Sequence, residues 1–302
     1  MSVVTGGGRG IGRAVALALA AAGHPVCVND TGVELDGRSP APEPAEGVAD
    51  EIRAAGGAAM AATVDAREPD VARELVGEVE AWAGRPATVL VHAAGTLRDG
   101  MVHKASDDDW SEVVGSHLHV AVSLTRAVAP AVRASRSGRI VYVGSAARLV
   151  GSVGQAAYDV AKAGLFGLTR AVALEMAGRD VCVNYVAPFA YTRMTRSIPP
   201  VTDQLRQYLE RAPRATPADV APLVTWLCSP AAAGITGQVL GVRGAAVNVW
   251  SQPRPVAEVC EPRGWEPARL EVVARPVLES HLTPLESEFD LFGGPPVEVT
   301  SG

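Results

Sequence analysis

The sequence predicts a doubly wound α/β domain, a seven-stranded parallel sheet with helices on both faces. Two patterns carry this expectation. Short, β-branched apolar runs alternate with longer helical patterns as far as residue 243. A glycine cluster, TGGGRGIG at 5–12, closes the first run and opens the first helical pattern. The chain has 302 residues, 48% of them hydrophobic, enough to bury the core such a domain needs.

The expected strands are SVVT (2–5), PVCVN (25–29), AAMAATV (58–64), ATVLVHA (87–93), RIVYVGS (139–145), VCVNYVA (181–187) and QVLGV (238–242). Helices are expected near 10–22, 45–55, 69–83, 107–134, 155–178 and 217–229. The acidic run DDD (107–109) before Trp110 suits a helix start, where negative charge meets the positive end of the dipole. Residues 31–47 hold too much Pro and Gly to be helical and are expected to form a loop. The catalytic-type domain is expected to span 1–243. Residues 244–302 form an extended tail with eight prolines, in which PARLEVVARPVL could hold one helix. Its Trp250, Trp265, Phe289 and Phe292 make it too apolar for a free linker, so it is expected to pack on the domain or on a neighbouring subunit.

A net charge of −6 with scattered basic residues leaves no footprint for nucleic acid. Alanine-rich stretches such as AVALALAAAG are too short to span a bilayer, and no signal peptide pattern opens the sequence, so the default expectation is a cytoplasmic protein without a membrane partner. Cys27, Cys182, Cys228 and Cys260 lie far apart without a C-x-x-C, which favours reduced thiols over disulfides or zinc. His24, His103, His119 and His281 show no spacing that suggests metal ligation.

Gly6, Gly10 and Gly12 would let the backbone turn tightly and approach a pyrophosphate, with the free N–H groups of the first helix aimed at it. Asp30, at the end of the second strand, suits the adenosine ribose hydroxyls and would repel a 2′-phosphate, favouring NAD over NADP. Asp65 occupies the matching place after the third strand. At the other end of the sheet Ser145 closes the fifth strand, and twelve residues later comes Tyr158, with Lys162 one helical turn further. Residues four apart share a helix face at roughly 6 Å. A phenol with a reference pKa near ~10 needs a neighbouring cation to work as an acid–base group near neutrality, and the lysine ammonium would supply it.

Together TGGGRGIG, the HAAG at 92–95, Ser145 and the Tyr158–Lys162 pair resemble the short-chain dehydrogenase/reductase family, over about residues 1–245. The stretches VND (28–30), TLRDG (96–100), SHLH (116–119), GSVGQAAY (151–158) and PFAYTRMT (188–195) are similar to its (3R)-hydroxyacyl-CoA dehydrogenase branch, found in peroxisomal multifunctional enzymes and bacterial relatives. The resemblance implies a Rossmann-type fold, a nicotinamide cofactor and hydride transfer between it and a secondary alcohol or ketone. It implies Tyr158 as general acid/base, Lys162 as its tuner and nicotinamide-ribose ligand, and Ser145 as the group orienting the substrate oxygen. His117 stands where most of the family has an asparagine that helps hold a relay water near the lysine. Arg9, Ile11, Ala66, Ala93, Ala94 and Gly95 would line the cofactor beside the glycines and carboxylates already named, and Pro188 and Thr192 would meet the nicotinamide carboxamide. His92 and Ala93 replace the family's usual Asn-Asn, which shifts the local hydrogen bonding.

Residues 189–214 fall where the family places a substrate lid. Arg193, Arg196, Arg206 and Arg211 there could meet an anionic handle, such as the phosphate of a CoA or carrier-protein thioester. The resemblance further implies a homodimer or homotetramer built on helices 107–134 and 155–178. The leading expectation is an NAD-dependent oxidoreductase acting on a small molecule, either a 3-hydroxyacyl thioester or a cyclic biosynthetic intermediate. The alternatives are non-redox acid–base chemistry in the same cleft (elimination, cyclisation or isomerisation), motivated by His92, Ala93 and His117, and a non-catalytic cofactor-sensing scaffold.

Overall fold

The computed structural model describes residues 1–200 and 203–286. Phe289 and Phe292, part of the argument for a packed tail, lie outside them. The elements follow the expected alternation: β1 Ser2–Thr5, α1 Gly10–Ala21, β2 Val26–Asn29, α2 Glu43–Ala54, β3 Ala59–Ala62, α3 Pro69–Ala83 and β4 Val89–His92. Then come α4 Asp107–Val114, a π-turn at Gly115–His119, α5 Val120–Ser135, β5 Arg139–Val143, α6 Ala147–Val150, α7 Ala156–Glu175 and β6 Cys182–Phe189. After β6 come α8 Arg193–Arg196 and α9 Asp203–Arg211, followed by α10 Pro217–Leu227, β7 Val239–Arg243 and β8 Ala246–Val249.

The strands form one sheet in the order β3-β2-β1-β4-β5-β6-β7-β8, and all pairs are parallel except β7–β8. The seven expected strands are therefore joined by an eighth, a hairpin return at residues 246–249. It escapes a search for apolar runs because it is only four residues long and Asn248 interrupts it; Val247 and Val249 are exposed.

Side chains alternate across the sheet, so each strand supplies two cores. Val3, Cys27, Leu90 and Ile140 pack with α3, α5 and α7, while Val4, Val28, Val91 and Val141 pack with α1, α2 and α10. Burial on both faces is why the strands read as continuous apolar runs. Helix α4 begins as the DDD run suggests, with Ser106 and Asp109 closing a reciprocal capping box. The expected single helix over 107–134 is interrupted at Gly115–His119, where one extra residue enters the turn.

The strand order reverses between β1 and β4, which opens a crevice at the carboxyl ends of the strands. Beyond β8 the chain is held first by Trp250, whose N–H donates to the Val239 carbonyl, and by Gln252, whose amide donates to the Gly237 carbonyl. Further on, α11 Pro267–Arg269, a second π-turn at Leu270–Ala274 and α12 Arg275–Glu279 form the helix expected in PARLEVVARPVL. Among the described residues no helix is long and apolar enough to cross a membrane.

Candidate active site

A cleft of about 980 Å³ runs along the crevice. The β1–α1 turn brings Gly6, Arg9, Gly10, Ile11 and Gly12 to it, and the ends of β2 and β3 bring Asp30, Asp65 and Ala66. Ala93, Ala94 and Gly95 follow β4, and Pro188 and Thr192 follow from β6. His117, Ser145, Tyr158 and Lys162 complete the wall, so every expected site residue faces one cavity.

The glycine turn leaves one end of the cleft open. Gly10 has a φ of +53°, and a Cβ there would meet only the Thr192 methyl, at 3.7 Å, so the glycine leaves open space over the turn. Asp30 lies one residue past β2, where its carboxylate accepts from Gly8 N (2.9 Å) and Gly32 N (2.8 Å). That fixes a negative charge beside the turn. Val64, an exposed apolar side chain among the lining residues, offers a flat surface next to Asp65. A lone strand-end valine gives no signal in a sequence, and it was not among the expected ligands.

Residues 31–42 cross the Asp30 side of this cleft as a strap. Leu97 N donates to Leu35 O at 2.8 Å, and Arg98 Nε donates to Asp36 O at 2.7 Å. Under the strap Arg67 makes a two-pronged ion pair with Glu112, at 2.8 and 2.7 Å. Glu112 also accepts from the Thr96 hydroxyl, which is bonded to Ser116 at 2.8 Å. A polar chain thus links the Asp65 end, through Arg67, to the loop that seats His117.

At the catalytic end Ser145 is held by its backbone. Ser145 N donates to the Tyr185 hydroxyl (2.9 Å), which in turn donates to Ser145 O (3.2 Å). Tyr185 reaches that point only because residue 144 is glycine: a Cβ there would stand 1.7 Å from the Tyr185 ring. Lys162 is buried, with Nζ donating to Val143 O at 2.8 Å and 5.6 Å from the Tyr158 ring centre. The end of β5, which leads directly into Ser145, therefore also anchors the lysine beneath the phenol.

The π-turn delivers His117 to the edge of Tyr158, ring centres 4.9 Å apart and planes at 74°. His117 Nε2 is 2.8 Å from Thr96 O, so that nitrogen carries the proton and Nδ1 is left as the acceptor. Gly95 lies directly against the imidazole, where a Cβ would overlap it. His92 bonds through Nδ1 to Thr5 Oγ1 at 2.9 Å, bracing β4 against β1. Thr5 Oγ1 also accepts from Ala93 N and Ala94 N, both at 3.3 Å. The replacement of Asn-Asn by His-Ala thus keeps a side-chain brace between the two strands.

Burial first, then the Lys162 ammonium, lowers both imidazoles, His117 well below its ordinary range and His92 to about 3. Both are neutral at pH 7. The unfolded chain binds protons at these positions below about 6.5, whereas the folded chain resists them. Their contribution is therefore complete above pH 6.5 and is lost as pH falls, by up to ~1.4 kcal/mol per pH unit for each residue. Urea midpoints should drop between pH 7.5 and 5, and His92→Asn should flatten that slope relative to the unchanged chain. A parallel slope in His92→Asn would contradict this.

The chain belongs to the short-chain dehydrogenase/reductase family of oxidoreductases. Residues 6–244 match the family described as Enoyl-(Acyl carrier protein) reductase. The chain is 37% identical over 249 residues to a 3-oxoacyl-[acyl-carrier-protein] reductase of Synechocystis, covering 82% of this chain and 96% of the relative. To the enzyme of the same description from Staphylococcus aureus it is 36% identical, covering 80% and 96%. A short-chain dehydrogenase from Mycobacterium avium of known crystal structure superposes with a TM-score of 0.79 at 36% identity, covering 94% of this chain and 96% of that one.

Proposed function

We propose that the protein is an NAD-dependent reductase/dehydrogenase that interconverts a ketone and a secondary alcohol, with a 3-oxoacyl or 3-hydroxyacyl thioester as the substrate class. The convergence of Ser145, Tyr158 and Lys162 at one end of a cleft whose other end carries Asp30 is the observation behind it. The 3-oxoacyl-[acyl-carrier-protein] reductases among the relatives support the thioester. The glycine turn and Thr192 would hold a nicotinamide dinucleotide, which would supply the hydride donor or acceptor.

The residues do the rest. In the reducing direction the Ser145 hydroxyl donates a hydrogen bond to the substrate oxygen, and the Tyr158 hydroxyl gives it a proton as carbon gains hydride. The Lys162 ammonium stabilises the phenolate left behind. His117 holds the ring edge of Tyr158 and keeps a neutral acceptor nitrogen within the same buried cluster. In oxidation the same groups run in reverse.

Asp30 underlies the preference for NAD, because a 2′-phosphate placed beside its carboxylate would be repelled. NADH should bind at least about tenfold more tightly than NADPH, and Asp30→Ser should narrow that ratio. Fluorescence titration of both cofactors, with NADH oxidation followed on a 3-oxoacyl-CoA and a cyclic ketone, tests the proposal. Equal affinity for the two cofactors would remove the NAD assignment, and absence of NADH turnover on either substrate would remove the reaction. Non-redox chemistry is the second reading, favoured by the neutral His117 imidazole at the edge of Tyr158. Product formation without net NADH change would support it, and stoichiometric NADH consumption would eliminate it.

A further inference from the structure

Residues 96–100, TLRDG, continue the cleft wall beyond Gly95, and each of the five is bonded to another segment. On one side lies the strap: Leu97 N donates to Leu35 O, and Arg98 Nε donates to Asp36 O. The Arg98 guanidinium is also fixed from behind, with Nη1 2.6 Å from Asp108 and 3.4 Å from Asp109, and only 12% of its side chain is exposed. On the other side lies the entry to α7. Gly100 N donates to Gly154 O at 2.8 Å, and Gln155 Nε2 donates to Asp99 Oδ1 at 2.8 Å. Tyr158 follows Gln155 by three residues, in the first turn of that helix. Thr96 adds a second route, because its carbonyl accepts from His117 Nε2 and His117 meets the Tyr158 ring edge-on.

Both neighbours of this segment take their hold from outside. Within the strap, Gly37 N donates to Glu34 O and Ala41 N to Thr31 O, which closes turns but fastens nothing to the domain. Outside donors pin its carbonyls: Arg9 and Arg193 on Val33, Leu97 on Leu35 and Arg98 on Asp36. The α7 entry is built similarly. Gly151 and Gly154 both have positive φ, and Ser152 N donates to the Asp159 carboxylate across the turn. Gln155, the residue that caps α7, gives its side chain to Asp99 and not to the free N–H groups of the helix. A turn flanked by glycines has many conformations open to it, so an external bond selects one.

We propose that residues 96–100 are a tie between the strap and the first turn of α7, so that the strap, seated over the Asp30 end of the cleft, sets the position of Tyr158. Arg98 and Asp99 are its positioning residues. Through the tie, a ligand at the Asp30 end is felt at the catalytic end, a step that rests on the dinucleotide reading above. Coupling of this kind is reciprocal, so loosening the α7 entry also loosens the strap.

The test is hydrogen exchange read at single amides in the unchanged chain, Arg98→Met and Asp99→Ala, with and without ADP-ribose, after thermal melts show that each variant folds. Arg98→Lys, whose one ammonium cannot serve the strap and Asp108 as a fork does, takes the place of Arg98→Met if that variant does not fold. Arg98→Met should speed exchange about tenfold at Ser152 and Asp159, neither of which bonds Arg98, and Asp99→Ala should do the same at Gly37 and Ala41. ADP-ribose should slow exchange at Ser152 and Asp159 in the unchanged chain but not in Arg98→Met. On a 3-oxoacyl thioester kcat should fall about tenfold in either variant while KM holds. Asp99→Asn, which keeps the acceptor oxygen, should recover part of that loss, and the double variant should be no slower than the slower single one. Exchange that rises only beside the substituted residue overturns the tie, as does a rise that reaches α10, which would mark general loosening. Additive losses of kcat overturn it as well. If the unchanged chain does not bind ADP-ribose, the dinucleotide reading fails, while exchange at the four amides still decides the tie.

Discussion

Tyr158→Phe should lower kcat by about a thousandfold and leave the NADH dissociation constant within about twofold. The substitution removes one oxygen and preserves the ring that meets His117 edge-on at 4.9 Å. The cofactor contacts proposed for the glycine turn and Asp30 do not use the Tyr158 hydroxyl, so binding should be spared. What disappears is the proton donor: Ser145 can still hydrogen-bond the substrate oxygen, but no group remains whose phenolate Lys162 can stabilise. Steady-state rates on a 3-oxoacyl thioester, paired with NADH titration, check it. Turnover within tenfold of the unchanged chain would show that another group, with His117 the nearest candidate, supplies the proton.

Gly144→Ala should be strongly damaging to both stability and activity. The added Cβ would overlap the Tyr185 ring, which is fully buried and cannot retreat without breaking both of its bonds to the Ser145 backbone. Overpacking of this kind costs about 1–3 kcal/mol, and the loss of two buried hydrogen bonds adds about 1 kcal/mol each. The urea midpoint should fall accordingly, and kcat/KM should drop about a hundredfold as Ser145 shifts from its place. The double variant Gly144→Ala/Tyr185→Leu separates the effects. Removing the ring makes room for the methyl and should return much of the stability, but it leaves Ser145 unheld and activity low. Recovery of activity in the double variant would show that Tyr185 does not position Ser145.

The parts of this molecule that were legible in the sequence are those where one residue type has one physical reason to be present. Continuous valine-rich runs mark strands buried on both faces, and the glycine turn, Asp30, Ser145 and the Tyr158–Lys162 spacing mark a cleft, which the fold then assembles. The hidden features depend on contacts between distant segments. Tyr185 reads as a core aromatic of β6, and nothing near it announces a partner forty residues earlier. Arg193 reads as one of four lid cations until the strap's carbonyl is seen beneath it. The eighth strand is hidden because GAAVNVW lacks a long apolar run; it is held by pairing with β7 alone and buries none of its four side chains.

The π-turn at Gly115–His119 also bears on how this chain can vary. An α-helix advances about 100° per residue, so removing a single residue there would relax the bulge into an unbroken helix and rotate α4 against α5 by that angle. Val113 would leave the core and Glu112 would swing off Arg67 and Thr96. A length-sensitive stretch of the protein thus lies inside a helix and not in a tight loop.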